Sequence, residues 1–510
     1  LPISGLRLFI NSTLKPLKTE RFYGEIYDTE TVLSRQLQEA GTELKDPTAN
    51  EQVRLLIKIA NREREAHDFI SVLQQDIVSQ VADKDIAVVE RTENGAFFGI
   101  AEGYILNGKM MNQPLLPAFY QEKIAEINER RDELTRFERV DIEKVNHQLT
   151  ELKTERQAYI KAQQPVPEFL QDEIKILQER YEDKEQTLMA MRSDMALDSL
   201  LMADRDGKTV RIPMNHVMAM WYPNAMTWSD KFTHWLDQIG KFITENPREA
   251  NSEGGVFPAI FGTVLMVLLM SVMVTPLGVL AAVYLHEYAG KSAFTRIIRI
   301  AVVNLAGVPS IVYGVFGLGF FVYFIGGNID ALFYSDTLPN PTFGTPGILW
   351  SSLTLAILTL PVVIVSTEEG LARIPSSVRH GSMALGATQA ETLWRIVLPM
   401  ASPAIMTGLI LAIARAAGEV APLMLVGVVK VAPSLPLDGN FPYLHLDRKF
   451  MHLGYHVYDV GFQSPNIESA RPLVYATSLL LVTVIVSLNL AAITIRNHLR
   501  EKYRSLEQDI

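Results

Sequence analysis

Five long apolar runs, at 256–285, 298–326, 346–367, 401–428 and 473–496, limit what this chain can fold into. A helix needs about 20 mostly apolar residues to cross about 30 Å of hydrocarbon, and every run meets that length. Core strands are far shorter. Backbone in lipid must satisfy its own hydrogen bonds, so the runs predict spanning helices. They define an all-α polytopic membrane domain over 250–500, followed by a cytoplasmic tail at 501–510.

Short loops rich in Lys and Arg stay on the cytoplasmic side. Lys291, Arg296 and Arg299 follow the first run. Arg373, Arg379 and Arg395 follow the third, and Arg496, Arg500, Lys502 and Arg504 follow the fifth. These groups alternate along the topology, so all three are assigned to the cytoplasm. The stretch 327–345 carries Asp330 and Asp336 with no Lys or Arg, and is assigned to the outside together with 429–472. Residues 1–250 then lie outside, in the periplasm of a cell whose inner membrane holds the spans. The chain starts at Leu1 rather than Met, and a sixth span before it is expected.

Residues 1–226 read as an extracytoplasmic α+β region. The stretch 34–80 reads as helical with a break at Asp46-Pro47. Residues 86–106 read as strands turning at Glu93-Asn94-Gly95. Between 118 and 200, Ile142, Val145, Leu149, Leu152 and Tyr159 fall on one seam. Leu170, Ile174, Leu177, Tyr181, Leu188 and Met191 fall on another, and the prolines of 163–169 separate the two. That pattern predicts an antiparallel coiled-coil hairpin, either an arm for a soluble partner or a spacer. The stretch 209–222 reads as strand, which would make the hairpin an insertion into a small β domain. Residues 227–249 read as an amphipathic helix, either lying on membrane lipid or packed on protein; Trp228, Phe232, Trp235, Ile239, Phe242 and Ile243 lie near one face. A net charge of −10 argues against a nucleic-acid partner, and the absence of cysteine excludes disulfides and thiolate metal sites.

The loop 368–400 carries the most specific pattern. Gly386 is followed after nine residues by Ile396, then Leu398-Pro399. A short helix, a turn at Gly386 and a second helix running to the proline are expected, forming a knob that could sit in a groove of a motor subunit. The spacing resembles the coupling loop of binding-protein-dependent ATP-driven importers, whose permeases carry Glu-Ala-Ala, three residues, Gly, nine residues, Ile-x-Leu-Pro. Gly386, Ile396, Leu398 and Pro399 match that loop, whereas His380, Gly381 and Ser382 stand at the Glu-Ala-Ala places. Within those importers, 281–289, 307–322 and 415–423 resemble the phosphate-specific PstA-type permeases, with Val420 where threonine is common. The resemblance implies a PstC-like second permease subunit, a dimer of ATP-binding subunits that holds ATP and Mg, and a periplasmic phosphate-binding protein. It also implies alternating access.

Arg415 and Glu419 can be read from their own chemistry. Both fall well inside the fourth run, where a charge costs about 2.5–3.5 kcal/mol on insertion scales. At i, i+4 they share a helix face. The planar fork of arginine suits an oxyanion, so Arg415 is the candidate phosphate attractor and Glu419 its tether. A static ion pair between helices is the plainer reading. Gly314, Gly317 and Gly319 read as helix-packing glycines. Asp204-Arg205-Asp206-Gly207 reads as a plain turn rather than a calcium loop, and His286-Glu287 lacks the second histidine of a zinc protease. The chain therefore reads as a transporter subunit with no catalytic residues, no metal site and no cofactor of its own. A permease for another oxyanion or solute, or a membrane sensor with an external coiled coil, is the alternative.

Overall fold

The computed structural model describes residues 6–11, 19–39, 49–62, 68–111, 116–248, 253–290, 292–335, 340–439, 441–464 and 467–508. Asp46-Pro47, Lys291 and Asp336 lie outside the described residues. The chain divides into two compact units, Leu1–Phe242 and Ile243–Ile510.

The first unit contains two sheets. Strands β1 (Leu6–Asn11), β2 (Thr19–Leu33), β3 (Glu51–Lys58), β4 (Phe69–Leu73) and β5 (Ile77–Val81) form one, in the order β4-β3-β2-β1-β5. The other comprises β6 (Ile86–Arg91), β7 (Phe97–Leu106), β8 (Lys109–Met111), β9 (Ser199–Ala203), β10 (Thr209–Pro213) and β11 (Val217–Trp221). Its order is β10-β9-β7-β6-β11, with β8 paired to β7. Setting β8 aside, this is one topology used twice. In both, two five-residue strands are joined by a three-residue tight helical turn, Gln74–Asp76 or Met214–His216. Those strands are the two edges of their sheet, so each sheet must curl until its edges nearly meet. The register shifts also match. One lies between the first and last strands of each copy and one between the second and third. Such bulges bend a strand and increase its twist, which helps the sheet to curl.

The helix expected over 34–80 is a correction. Among the described residues of this stretch only Ser34–Glu39 is α-helical, and the rest is dominated by β3, β4 and β5 with the tight turn Gln74–Asp76. Val53, Leu55 and Ile57 alternate with polar or half-buried neighbours, and they pack with Phe22, Ile59, Ile70 and Val72. Period-two burial of β-branched residues overrode the helical reading. Of the second copy, β6, β7, β10 and β11 fall within the expected 86–106 and 209–222, whereas β9 lies outside both and begins where the hairpin was expected to end; Asn94 and Gly95 take the left-handed backbone of their turn, at φ 64° and 66°. The core of this copy holds Val89, Phe97, Tyr104, Leu200, Met202 and Met220.

A helical hairpin is inserted between β8 and β9. Its first arm runs from Pro117 to Lys161, widening into a π turn at Phe137–Ile142, and its second arm is Glu168–Ala196. Val145 and Leu149 pack with Leu170, Ile174 and Leu177, joined by Leu152, Tyr159 and Tyr181. Leu134, Leu188 and Met195 continue the contact with Ile142 and Met191. The helix Trp228–Thr244 has no buried residue, and Trp228 and Phe232 are exposed.

Among the described residues, five helices of the second unit are long and apolar enough to cross a membrane: Phe257–Tyr288, Ser310–Phe333, Ile348–Ala372, Gln389–Gly418 and Ala470–His498. The third is the most buried and the fifth the least. Glycines set the close approaches. A Cβ on Gly278 would come 2.6 Å from Val363, and one on Gly408 would come 2.8 Å from Ser366. Gly314 and Gly317 meet Pro422 and Thr354 in the same way, whereas Gly319 has open space, against expectation. The second span also starts later than expected. Ala293–Leu305, with Arg296 and Arg299, is a separate helix that ends before Pro309. Proline lacks the N–H that an interior helical position needs, so Pro309 starts the span instead.

Candidate functional site

The loop 368–400 folds as a compact knob. Ser376–Ala384 is its first helix. Gly386 then turns the chain at φ +94°, a backbone that glycine adopts without strain. Thr388 starts the second helix with a capping box, its hydroxyl accepting from Glu391 N while the Glu391 carboxylate accepts from Thr388 N. Ser382 Oγ and Thr392 Oγ1 lie 2.8 Å apart and tie the two helices. Of the triplet at the Glu-Ala-Ala places, His380 and Gly381 are exposed and Ser382 is buried. Leu385 and Trp394 are also exposed, Leu385 at 92%.

The second helix does not stop at Pro399. It continues through a wider π turn, Leu393–Val397, into the fourth span. A proline clashes with the carbonyl four residues back, and the wider turn just ahead shifts that carbonyl. Ile396, within the turn, is half-buried, and Leu393, Val397 and Leu398 pack with Val283, Leu371 and Ile374.

A second anchor of the knob went unread in the sequence. Arg379 donates to Ile374 O at 2.8 Å, to Leu371 O at 2.9 Å and to Glu287 Oε1 at 2.9 Å. Glu287 Oε1 also lies 3.0 Å from His286 Nδ1. Arg379 and Glu287 are both largely buried. Glu287 sits at the end of the first span, so the pair ties the first short helix of the loop to a membrane helix. The adjacent His286-Glu287 pair was legible only as an incomplete zinc motif; no spacing rule reaches 92 residues forward to Arg379.

Arg415 and Glu419 come together at the end of the fourth span rather than well inside it. The helix ends at Gly418, and Glu419 is extended at φ −78°, ψ 131°. A four-residue helix, Leu423–Val426, follows Pro422. The single helix expected over 401–428 is thus broken. Arg415 Nε lies 3.7 Å from Glu419 Oε1, close enough for ionic attraction and too far for a hydrogen bond. Arg415 Nε is buried with no hydrogen-bond partner. The pair is half-buried, and the arginine fork retains a free donor.

Asp204-Arg205-Asp206-Gly207 is a turn, with Asp204 Oδ1 accepting from Asp206 N and Lys208 N. Among the described residues no group of three or more His, Cys, Asp or Glu side chains is arranged to hold a metal.

Five candidate spans, with this knob between the third and the fourth, define a multi-pass membrane permease. Residues 274–505 match the family of binding-protein-dependent transport system inner membrane components. The chain is 37% identical over 223 residues to the phosphate transport system permease protein PstA of Mycobacterium leprae, covering 44% of this chain and 65% of that one. It is 35% identical over 247 residues to PstA 1 of Mycobacterium tuberculosis, covering 48% and 71%. It is 34% identical over 205 residues to the probable ABC transporter permease protein YqgH of Bacillus subtilis, covering 39% and 62%. The chain thus spans less than two thirds of two of these relatives. The chain belongs to the PstA-type permeases of the ABC transporter inner-membrane components.

Proposed function

We propose that this chain is the transmembrane permease subunit of an ATP-driven phosphate importer. The observation that carries the reading is Arg415, whose buried Nε has no hydrogen-bond partner at the end of a span. A buried donor without a partner is costly, and a guanidinium fork fits an oxyanion in two places at once. Phosphate, the solute for which two of the relatives above are named, supplies the missing acceptor. Glu419 holds Arg415 by attraction alone and yields it when the anion arrives.

The pathway forms with a second, PstC-like permease subunit and works by alternating access. A soluble binding protein delivers phosphate outside. Two ATP-binding subunits hold ATP and Mg and dock on the loop 368–399, where Leu385, Trp394 and His380 are the exposed contacts. Arg379 and Glu287 carry the movement of that loop to the first span. Residues 1–250 lie in the periplasm, with the hairpin as a coiled-coil arm, and the helix Trp228–Thr244 rests on lipid.

Phosphate uptake by the assembled complex tests the reading. Arg415→Gln should abolish uptake and Arg415→Lys should keep part of it, because lysine retains the charge without the fork. Full uptake by Arg415→Gln at normal assembly would sink the proposal. Competition by sulfate and molybdate separates phosphate from other oxyanions. Capture of the ATP-binding subunit should depend on residues 380–399.

A further inference from the structure

A second charged cluster lies in the segment between the fourth and fifth spans. The helix Leu453–Phe462 occupies this segment. His456, on that helix, is 2% exposed, and neither of its ring nitrogens has a hydrogen-bond partner. Asp459, three residues on, is 1% exposed and pairs with Lys430 at 3.1 Å. Lys430 is the half-exposed member, with 37% of its side chain accessible. The helix is fixed in place at its start. Leu453 N donates to Thr263 Oγ1 of the first span at 2.9 Å, and a Cβ on Gly454 would come 2.7 Å from Val420, the residue after Glu419. His456 and Asp459 therefore sit on a helix whose start packs against Val420, the residue after Glu419.

Burial keeps the His456 ring neutral and pushes its pKa down to about 4, with Asp459 opposing and Lys430 reinforcing the shift. A neutral imidazole offers one N–H donor and one lone-pair acceptor. Leaving both unmatched in the interior is rare in folded proteins and points to a missing partner. That partner must accept from the imidazole, and the nearby Lys430 ammonium favours one that carries negative charge. It must also present a proton to Asp459 or to the second ring nitrogen, because a carboxylate accepts only.

We propose that Lys430, His456 and Asp459 form a second oxyanion site, selective for an anion that keeps a hydroxyl of its own, as hydrogen phosphate does. The proposal rests on the phosphate reading above and deepens it. Lys430 Nζ and the His456 N–H donate to unprotonated oxygens, and the P–OH donates to Asp459. The ion pair of Lys430 and Asp459 opens to admit the anion from the exposed side of Lys430. Sulfate has no hydrogen near neutral pH, so its oxygens face the Asp459 carboxylate lone pair to lone pair. Arsenate, which keeps a hydroxyl, binds as phosphate does.

The test uses the complete transporter in lipid nanodiscs, without the soluble binding protein, with its histidines labelled with nitrogen-15. The His456 signals are assigned by their loss in His456→Gln. Inorganic phosphate and arsenate should shift them saturably, while sulfate at matched ionic strength should not. Lys430→Gln changes a half-exposed side chain and should leave assembly intact. It should weaken the phosphate-dependent shift and raise the KM for uptake by on the order of tenfold, as should Asp459→Asn. Asp459→Asn should also let sulfate shift the signals, because its amide can donate. No phosphate-dependent shift, an equal shift by sulfate in the unaltered protein, or an unchanged KM in Lys430→Gln and Asp459→Asn would each overturn the site. Phosphate uptake and its KM are measured alongside in sealed vesicles, with the soluble binding protein supplied outside and ATP inside, for the unaltered transporter and the variants. If that uptake is absent the phosphate reading itself fails; if it is present and the variants match it, only this site fails.

Discussion

Both units have an apolar core, and the second also buries a row of hydroxyls along its spans. In the first, the fully buried side chains are large and apolar: Tyr104, Phe97, Phe98, Ile86, Leu200 and Met202. In the second, Thr263, Ser351, Ser352, Thr354, Thr359 and Thr367 are buried, while Val272, Leu479 and Phe324 are exposed. Five of those hydroxyls donate to the carbonyl four residues back in their own helix. The contrast follows from solvent. Water drives apolar surface inward, whereas lipid offers no such drive and tolerates no unpaired backbone. Helices in lipid therefore associate through close backbone approach at small residues, as at Gly278 and Gly408. Exposure has a different meaning on each side of residue 242.

Matched substitutions can break that contrast. The largest effect is expected for Phe97→Ala, at a fully buried core position of the first unit. Truncating a buried phenylalanine costs about 3–5 kcal/mol. Hydrogen exchange should show lost protection across 86–106 and none across the spans; unchanged protection at 86–106 would mean that this core does not hold the unit together. Next come two equally simple changes at exposed valines. Val272→Asp, on the first span, should reduce membrane insertion by about 2.5–3.5 kcal/mol. Val78→Asp, on β5, should stay within about 0.5 kcal/mol. An insertion assay on the first and a melting curve on the second decide. Similar outcomes at the two sites would show that both units face the same solvent.

The same contrast explains how much could be read from the sequence. The spans were legible because apolar length is a property of the segment itself, and the boundary errors fall where proline acts locally, at Pro309 and Pro422. The knob was legible at Gly386 because its left-handed backbone favours glycine. Its continuation through Pro399 was not, since a π turn has no sequence signature of its own. The pairing of Arg379 with Glu287 depends on tertiary packing across 92 residues. The repeated sheet topology of the first unit was missed for a related reason. The corresponding stretches 69–81 and 209–221 share element lengths and pairing rather than residues, FISVLQQDIVSQV against TVRIPMNHVMAMW. Arg415 and Glu419 were legible as charges in an apolar run, but the end of the helix at Gly418, between the two, was not.

The knob is an exception within the second unit. Thr388, Gln389, Glu391 and Arg395 are exposed, so water rules should govern it although it runs into a membrane helix. Thr388→Ala removes the N-cap and should destabilise the start of that helix by about 1 kcal/mol. Amide exchange at 389–392 should quicken while the remainder of the fourth span stays protected. Exchange that quickens along the whole span would place the cap and the span in one cooperative unit.

The smallest effect is a pH dependence confined to the first unit. His234 lies with its ring 4.8 Å from that of Trp221. Burial lowers its pKa below the ordinary 6.5, and Lys241 adds to the shift. The folded state therefore binds fewer protons than the unfolded state between that lowered value and 6.5. Stability rises with pH wherever the unfolded state binds more protons, so the unit should lose stability as pH falls below about 6.5 and level off below the folded pKa. His234→Gln removes the titrating group and should flatten this part of the profile. His452 and His456 also titrate, each pushed down to about 4, but they belong to the second unit. Following exchange in 217–221 beside the His234 ring separates the two units. A profile that keeps its slope in His234→Gln would assign the dependence to another group.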